Sequence, residues 1–482
     1  MTIQELEPKN VWTNFALLNE VPRASKKERQ VIDFIKSFGS ALHLSVYEDE
    51  VGNVIIKKPA TIGMESKPPV CLQSHLDMVH QKNNDTNFDF ATQGINMYVD
   101  ADWVKAKGTT LGADNGMGVA AIMTILASTD IPHPAIEALF TIDEETGMTG
   151  ALALKGGLLD AKYMLNLDTE EDNELTIGCA GGIDVTGTGV YEETKPNDNS
   201  LAFKINIKGL KGGHSGIEIH KGLANANKLM NRFLWHASKK INFQIASIDG
   251  GSLRNAIPRE SVAEIFVAEK DMDAFEKLVH EYAIIYKSEY QFTDPNLAFE
   301  FEKIHSTQNV LNATTQTNLL NSIYSIPNGI FRMDSNIAGL VQTSNNLAKV
   351  TVKNGSYSIQ CLTRSSVNSE KMDVASMIEA SFNLLVASTN FGGNYPGWAP
   401  QSNNDIVKLM VAKYKELHNE EPLVNACHAG LECGILGTNY PTMQMISFGP
   451  TIHGAHSPDE KVSISSVQKF WKYLLAVLKD IN

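Results

Sequence analysis

No stretch of this chain approaches the ~20 consecutive apolar residues of a membrane-spanning helix, and no block of lysine and arginine interrupts it. Cysteine is scarce: Cys71, Cys179, Cys361, Cys427 and Cys433 are odd in number, scattered, and form no CxxC pair. That pattern speaks against a disulfide framework and against a cysteine-based zinc knuckle, and it makes a reducing cytoplasm the expected compartment. Positive charge is in deficit, with 41 Lys and Arg against 55 Asp and Glu and a net charge of −14. Neither a nucleic-acid surface nor adhesion to anionic membranes is expected of such a chain. The opening segment MTIQELEPKNVWTNFALLNE carries acidic residues early and no uninterrupted apolar run, so it does not read as a secretory signal. Whole chemistries also lack their residues. There is no HExxH, no GxxxxGK[ST] loop and no convincing dinucleotide fingerprint, and GHSGI lacks the second glycine that would make Ser215 a nucleophile elbow.

What is present is an ordinary globular composition, 43% hydrophobic and 20% charged, over 482 residues, too many for one simple core. In the first part, short apolar runs such as PPVCLQ, AIEALFTI and KYMLNL alternate with helical patterns, notably GMGVAAIMTILAS at 116–128. Strand–helix–strand alternation predicts an α/β domain whose central, mostly parallel sheet is covered on both faces by helices. Near position 186 the texture changes. Segments such as LAFKINIKG, SVAEIFVAEK and KVTVKNGSYSIQCLTR alternate apolar and polar residues, as half-buried antiparallel strands do, with helical patterns between them. We read residues 1–185 and 391–482 as two parts of one α/β domain, interrupted by an α+β lid at 186–390.

Acidic and histidine-bearing segments recur at one place in this pattern, the carboxyl ends of the expected strands: His75 and Asp77 in HLD, Asp114 in GADNGMG, Glu144 and Glu145 in DEETG, and Asp168 in NLDTEE. In an open α/β sheet that edge is where ligands bind. Singly, each has a plainer explanation: Asp114 as a helix N-cap, DEETG as a solvated turn, DTEEDNE as a surface charge run. Together, Asp114, Glu145 and Asp168 would repel one another unless compensated, and two divalent cations with one bridging hydroxide would balance their charge. A mixed histidine and carboxylate set suits zinc, with cobalt or manganese as substitutes. His75 is one candidate imidazole. A second lies in FGPTIHGAHSPDE, where spacing leaves His453 and His456 equally eligible.

The motifs HLD, GADNGMG, DEETGMTG, NLDTEE, GGHSG and HSPDE occur here in the order found in the zinc-dependent dipeptidase and deacylase superfamily, and AGGIDV, GLKGGHSG, HAGLECG and HGAHSPDE resemble its aminoacyl-histidine dipeptidase branch across nearly the whole chain. The resemblance implies a di-zinc centre in which His75 and Asp168 hold one metal, Glu145 and His456 the other, and Asp114 bridges both. It implies Glu144 as general base for attack by a metal-bridging hydroxide, Asp77 as the carboxylate that orients His75, and a cis peptide after Asp114. In the lid, it makes His214 the stabiliser of the oxyanion, and Asn255 and Arg364 the residues that hold the substrate carboxylate. The expected substrates are unblocked dipeptides, notably Xaa-His such as carnosine, and the expected assembly is a homodimer. Two other readings compete with this one: an N-acyl amino acid deacylase on the same metal core, and a non-catalytic peptide-binding protein on the same fold. One departure stands out, Leu223, where many members of the wider superfamily carry an arginine. Glu432, His80 and His453 receive no role.

Overall fold

The structure, a computed structural model, describes residues 2–481 and divides into two compact units. The first comprises residues 2–178, Trp398–Ala426 and 431–481; the second comprises Cys179–Gly397 and Cys427–Gly430.

The first unit is built on an eight-stranded sheet in the order Ser45–Glu48, Val54–Lys58, Ile136–Thr141, Val70–His75, Tyr163–Asn166, Gln444–Ser447, Glu174–Cys179, Leu423–Cys427. Its centre is parallel. Val70–His75 runs parallel to both Ile136–Thr141 and Tyr163–Asn166, and Tyr163–Asn166 runs parallel to Gln444–Ser447. Every residue of the first three of these strands is buried. This is why they read as continuous apolar runs, because a sheet covered on both faces offers no wet side on which polar residues could alternate. The helix Ala113–Ala127 buries every residue except Asp114 and Ala127, as a helix apolar all round must. It lies so close to the sheet that a Cβ on Gly118 would meet Ser74 Oγ, and would come within 2.9 Å of the Leu167 carbonyl. The Asp114–Asn115 peptide at its start is cis. A four-stranded antiparallel sheet, Ile452–His453, Lys461–Ser463, Trp103–Ala106 and Met97–Asp100, completes the unit. His453 pairs with Lys461, so residues 454–460, His456 among them, form the loop between those two strands.

The second unit holds a nine-stranded antiparallel sheet, with strands such as Ser261–Ala268 alternating buried and half-buried residues. Four helices, Ala226–Ala237, Met272–Glu289, Ala313–Ser325 and Asn368–Asn383, contribute buried apolar residues to the core of this unit. The expected limits at 185/186 and 390/391 each cut a strand. Gly181–Val190 is paired along its whole length with Ser356–Ser365 on one side, and Ser388–Tyr395 lies on its other side. The two units instead divide at 178/179, within the last bond of the strand Glu174–Cys179, and at 397/398, and residues 427–430 also belong to the second unit, a return that no composition shift signals.

Phe233 sits at the centre of the second core, fully buried, with its ring centroid 4.9 Å from Phe299 and 5.5 Å from Tyr282. Phe233→Ala should therefore destabilise the second unit by about 3–5 kcal/mol. Urea unfolding followed by a probe placed in that unit would measure it, and an unchanged midpoint would show that this core does not limit its stability.

Candidate metal centre

The parallel strands end together, and the residues expected to bind metal lie at or just beyond those ends. His75 is the last residue of its strand and pairs with Thr141, the last of the next; Glu144 and Glu145 follow Thr141, and Asp168 follows Asn166. Asp114 comes from the start of the long helix and His456 from the loop 454–460. The two imidazoles face opposite oxygens of one carboxylate. His75 Nε2 lies 3.1 Å from Asp114 Oδ1 and 3.4 Å from Asp168 Oδ1, while His456 Nε2 lies 3.4 Å from Asp114 Oδ2 and 2.9 Å from Glu145 Oε2. His453, which spacing left equally eligible, is elsewhere, stacked on Trp103 and 3.5 Å from Glu171. His80 packs against Phe90.

These residues fit divalent metal. Among the described residues, His75, Asp114 and Glu145 each offer an atom within 4.8 Å of the others. Glu145 Oε1 and Asp168 Oδ1 are buried with no hydrogen-bond partner, a cost that buried carboxylates rarely bear uncompensated. No lysine or arginine among the described residues forms an ion pair with Asp114, Glu145 or Asp168.

Asp77 departs from the expected geometry. The strand stops at His75, so strand alternation does not set the direction of Asp77. His75 Nδ1 meets the Asp77 backbone carbonyl at 3.1 Å, with the carboxylate at 3.4 Å. A carbonyl only accepts, so Nδ1 donates to it, and Nε2 is the nitrogen that faces Asp114 and Asp168 and that a metal would take once its proton is displaced. The Asp77 carboxylate itself accepts from Ser25 Oγ at 2.8 Å and from the backbone N–H groups of Glu144 and Glu145 at 3.1 and 3.3 Å. It thus orients the Glu144–Glu145 turn as well as the imidazole.

Charge crowding shifts the whole group. Burial pushes Glu144 well above the usual carboxylate range, and the charges of Asp168, Glu145 and Glu432 push the same way. Glu170, which reads in the sequence as part of a surface charge run, is pushed up to about 9 by burial and then by Asp114 and Asp168. Asp114 moves the other way: burial would raise it, but His456 and His75 outweigh that and hold it ionised. A residue without an assigned role from sequence, Glu432, is buried beneath the cluster. Its Oε2 accepts from Gln73 Nε2 at 2.7 Å and Thr141 Oγ1 at 2.6 Å. Only its place at the start of a helix after HAGL could have hinted at this, and helix starts commonly carry glutamate.

In the second unit, His214 Nδ1 accepts the backbone N–H groups of Gly216 and Ile217 at 3.2 and 3.1 Å, so the proton of the neutral ring resides on Nε2. Burial and then the Arg364 charge pull its pKa down to about 4. Arg364 is 5% exposed, donates to the Tyr395 hydroxyl at 3.0 Å, and has a buried Nε with no partner. A Cβ on Gly216 would meet the His428 carbonyl, and would come within 3.1 Å of both Arg364 Nε and His214 Cε1, which places those three residues around one patch. Asn255 is exposed, and its carbonyl accepts from the Ser215 N–H at 2.7 Å.

With no metal bound, both imidazoles hold protons at neutral pH. For His456, hydrogen bonds to Asp114 and Glu145 raise the pKa from 6.5 to about 11; for His75, burial opposes but Asp168, Asp114 and Asp77 prevail and raise it. A raised imidazole pKa stabilises the fold fully below pH 6.5, and that stabilisation is lost only as pH rises through about 11. Metal must displace these protons. Calorimetric zinc titration of chelated protein at pH 7, in two buffers of different ionisation enthalpy, should show proton release, reduced by about one proton in His456→Ala. No release would mean that the imidazoles are neutral.

Residues 71–480 match the profile of peptidase family M20/M25/M40. The chain is 43% identical over 479 residues to the cytosol non-specific dipeptidase of Escherichia coli, covering 99% of both chains. The crystal structure of aminoacylhistidine dipeptidase from Vibrio alginolyticus superposes with a TM-score of 0.95 at 40% identity, covering 100% of this chain and 98% of that one. An aminopeptidase from Bacillus cereus shares the fold at a TM-score of 0.58 and 15% identity, over 99% of each chain. A profile match over most of the length and a relative this similar end to end show the family: the chain belongs to peptidase family M20/M25/M40.

Proposed function

We propose that this chain is a metal-dependent dipeptidase whose centre takes two zinc ions and whose substrates are unblocked dipeptides, Xaa-His such as carnosine among them. The observation that carries this reading is the placement of Asp114, one oxygen toward His75 and Asp168 and the other toward His456 and Glu145. His75 and Asp168 would hold one ion, Glu145 and His456 the other, and Asp114 both. The likeness to the Escherichia coli and Vibrio alginolyticus dipeptidases supports the substrate class.

When bound, such ions supply Lewis-acid activation of a water and of the scissile carbonyl. The chain's own residues do the rest. Glu144, its pKa raised by burial and its acidic neighbours, takes a proton from the attacking water and returns it to the leaving amine. Asp77 holds the Glu144 and Glu145 backbone amides and the far side of the His75 ring, so that Glu144 and Glu145 present their side chains to different partners. His214, neutral with its proton on Nε2, donates to the oxyanion that develops on the substrate carbonyl. Arg364 and Asn255 bind the free carboxylate of the dipeptide, the Arg364 guanidinium offering the fork that matches it. We place the protein in the cytoplasm on its likeness to a relative named for the cytosol, and expect it to work as a homodimer. Among the described residues no helix is long and apolar enough to cross a membrane.

Chelated protein should be inactive and should regain hydrolysis of free dipeptides, but not of N-acylated ones, when zinc is restored. Preferred cleavage of acylated substrates would make it a deacylase, and metal loading without turnover of any substrate would make it a binding protein. Glu144→Ala should lower kcat by about 10²–10⁴-fold with metal content retained; loss of metal would make Glu144 a ligand rather than the base. Asp114→Ala should empty both metal positions together, as metal analysis of the purified variant would show. Retention of one ion at full affinity would remove the bridging role.

A further inference from the structure

Two buried charges of the first unit touch none of the substrate groups assigned above, yet they hold three of the segments that carry the metal centre. Arg23, 1% exposed, donates from Nη1 to the backbone carbonyls of Leu76 and Asp77, each at 3.2 Å, and from Nη2 to Asn19 Oδ1 at 3.0 Å and to the Gly112 carbonyl. Glu460, 2% exposed, accepts four consecutive backbone N–H groups: Leu111 and Gly112 on Oε2 at 2.6 and 2.8 Å, Ala113 and Asp114 on Oε1 at 2.7 and 3.2 Å. The turn 111–114 is thus gripped from both sides, by a cation on its carbonyl and a carboxylate on its amides. Arg23 ties that turn to the segment after His75, and Glu460 ties it to the loop of His456, four residues earlier in the chain.

The turn is shaped for this grip. Gly112 has φ +70, and a Cβ there would meet Arg23 Nη2 and would come within 2.8 Å of Met78 Sδ, so only glycine lets the backbone settle on the guanidinium. His456 also sits at φ +67, a conformation non-glycine residues adopt only when the surroundings hold them there, and Glu460 anchors the far end of its loop. Nearly all these contacts go to backbone groups. They therefore set where Asp114, His75 and His456 stand relative to one another rather than their chemistry.

We infer that Arg23 and Glu460 are a pair of positioning residues that set the mutual placement of Asp114, His75 and His456 and thereby the affinity and geometry of the metal centre. This rests on the metal-centre reading above. Glutamine cannot replace Glu460, because its amide NH₂ would face two backbone N–H donors; lysine cannot replace Arg23, because one ammonium cannot span the carbonyls of Leu76, Asp77 and Gly112.

The test is cobalt titration of full-length chelated protein, following the visible d–d absorption of the bound ion, with the unfolding midpoint of the chelated protein measured alongside. Glu460→Gln should weaken cobalt binding by about 10–100-fold and alter the d–d bands. Arg23→Lys, which keeps the charge and so the fold, should do the same. The double variant should bind no more weakly than the worse single one, since both act on one turn. Wild-type affinity and spectrum in either folded variant would overturn the inference, as would a lowered midpoint with unchanged cobalt binding, which is what a purely structural helix cap would give. Fully additive losses in the double variant would overturn the pairing. Wild-type protein that takes up no cobalt would instead overturn the metal-centre reading itself.

Discussion

Four carboxylates and two imidazoles share one edge of a sheet, and everything around them answers to the repulsion this creates. Asp114, Glu144, Glu145 and Asp168 gather where the parallel strands end, with buried oxygens on Glu145 and Asp168 that accept no hydrogen bond. Burial first, and then like charges this close, disfavour ionisation, which is why Glu144 and Glu170 are held above their ordinary range while Asp114, flanked by both histidines, is not. Divalent cations would resolve the conflict.

A polyanionic cluster would also spread unless its backbone were pinned. The surrounding polar residues do this mostly through main-chain groups. Asp77 holds the amides of Glu144 and Glu145, Glu460 holds those leading to Asp114, and Arg23 joins Gly112 to Leu76 and Asp77. Glu432 ties the side chains of Gln73 and Thr141, on adjacent strands, just beneath the ligands. In the second unit His214 is fixed by the same means, since two backbone amides on Nδ1 determine which nitrogen carries the proton. Orientation by backbone contacts lets the side chains facing the reaction keep their donors and acceptors available for it.

Much of this was legible before any coordinates. The fully buried parallel strands read as unbroken apolar runs because both their faces are covered, and the strands of the second unit read as alternating because one face is wet. The candidate metal-binding residues stood out because acidic residues recurring just after apolar strands have few structural uses. The boundaries at 185/186 and 390/391 were misplaced because Gly181–Val190 and Ser388–Tyr395 alternate too weakly at their ends to show that they pair with each other. Asp77 lies two residues beyond the end of its strand, so no local alternation sets where its carboxylate goes.

Arg23, Glu432 and Glu460 left little trace in the sequence. A lone arginine between helices, a glutamate at a helix start and another in a polar loop each have solvated explanations, and apart from Asn19 their partners lie 53 to 359 residues away. The sequence by itself carried the side chains with the chemistry to bind a metal and the apolar runs that become the first unit's strands, because both are local properties of side chains and their spacing. Spacing left His453 and His456 open and the resemblance preferred His456, but only the tertiary structure shows His456 beside Asp114 and Glu145 and shows which buried charges grip the segments around them. Those outcomes depend on which distant backbone groups fold to within about 3 Å of a given side chain, a distance that no local pattern encodes.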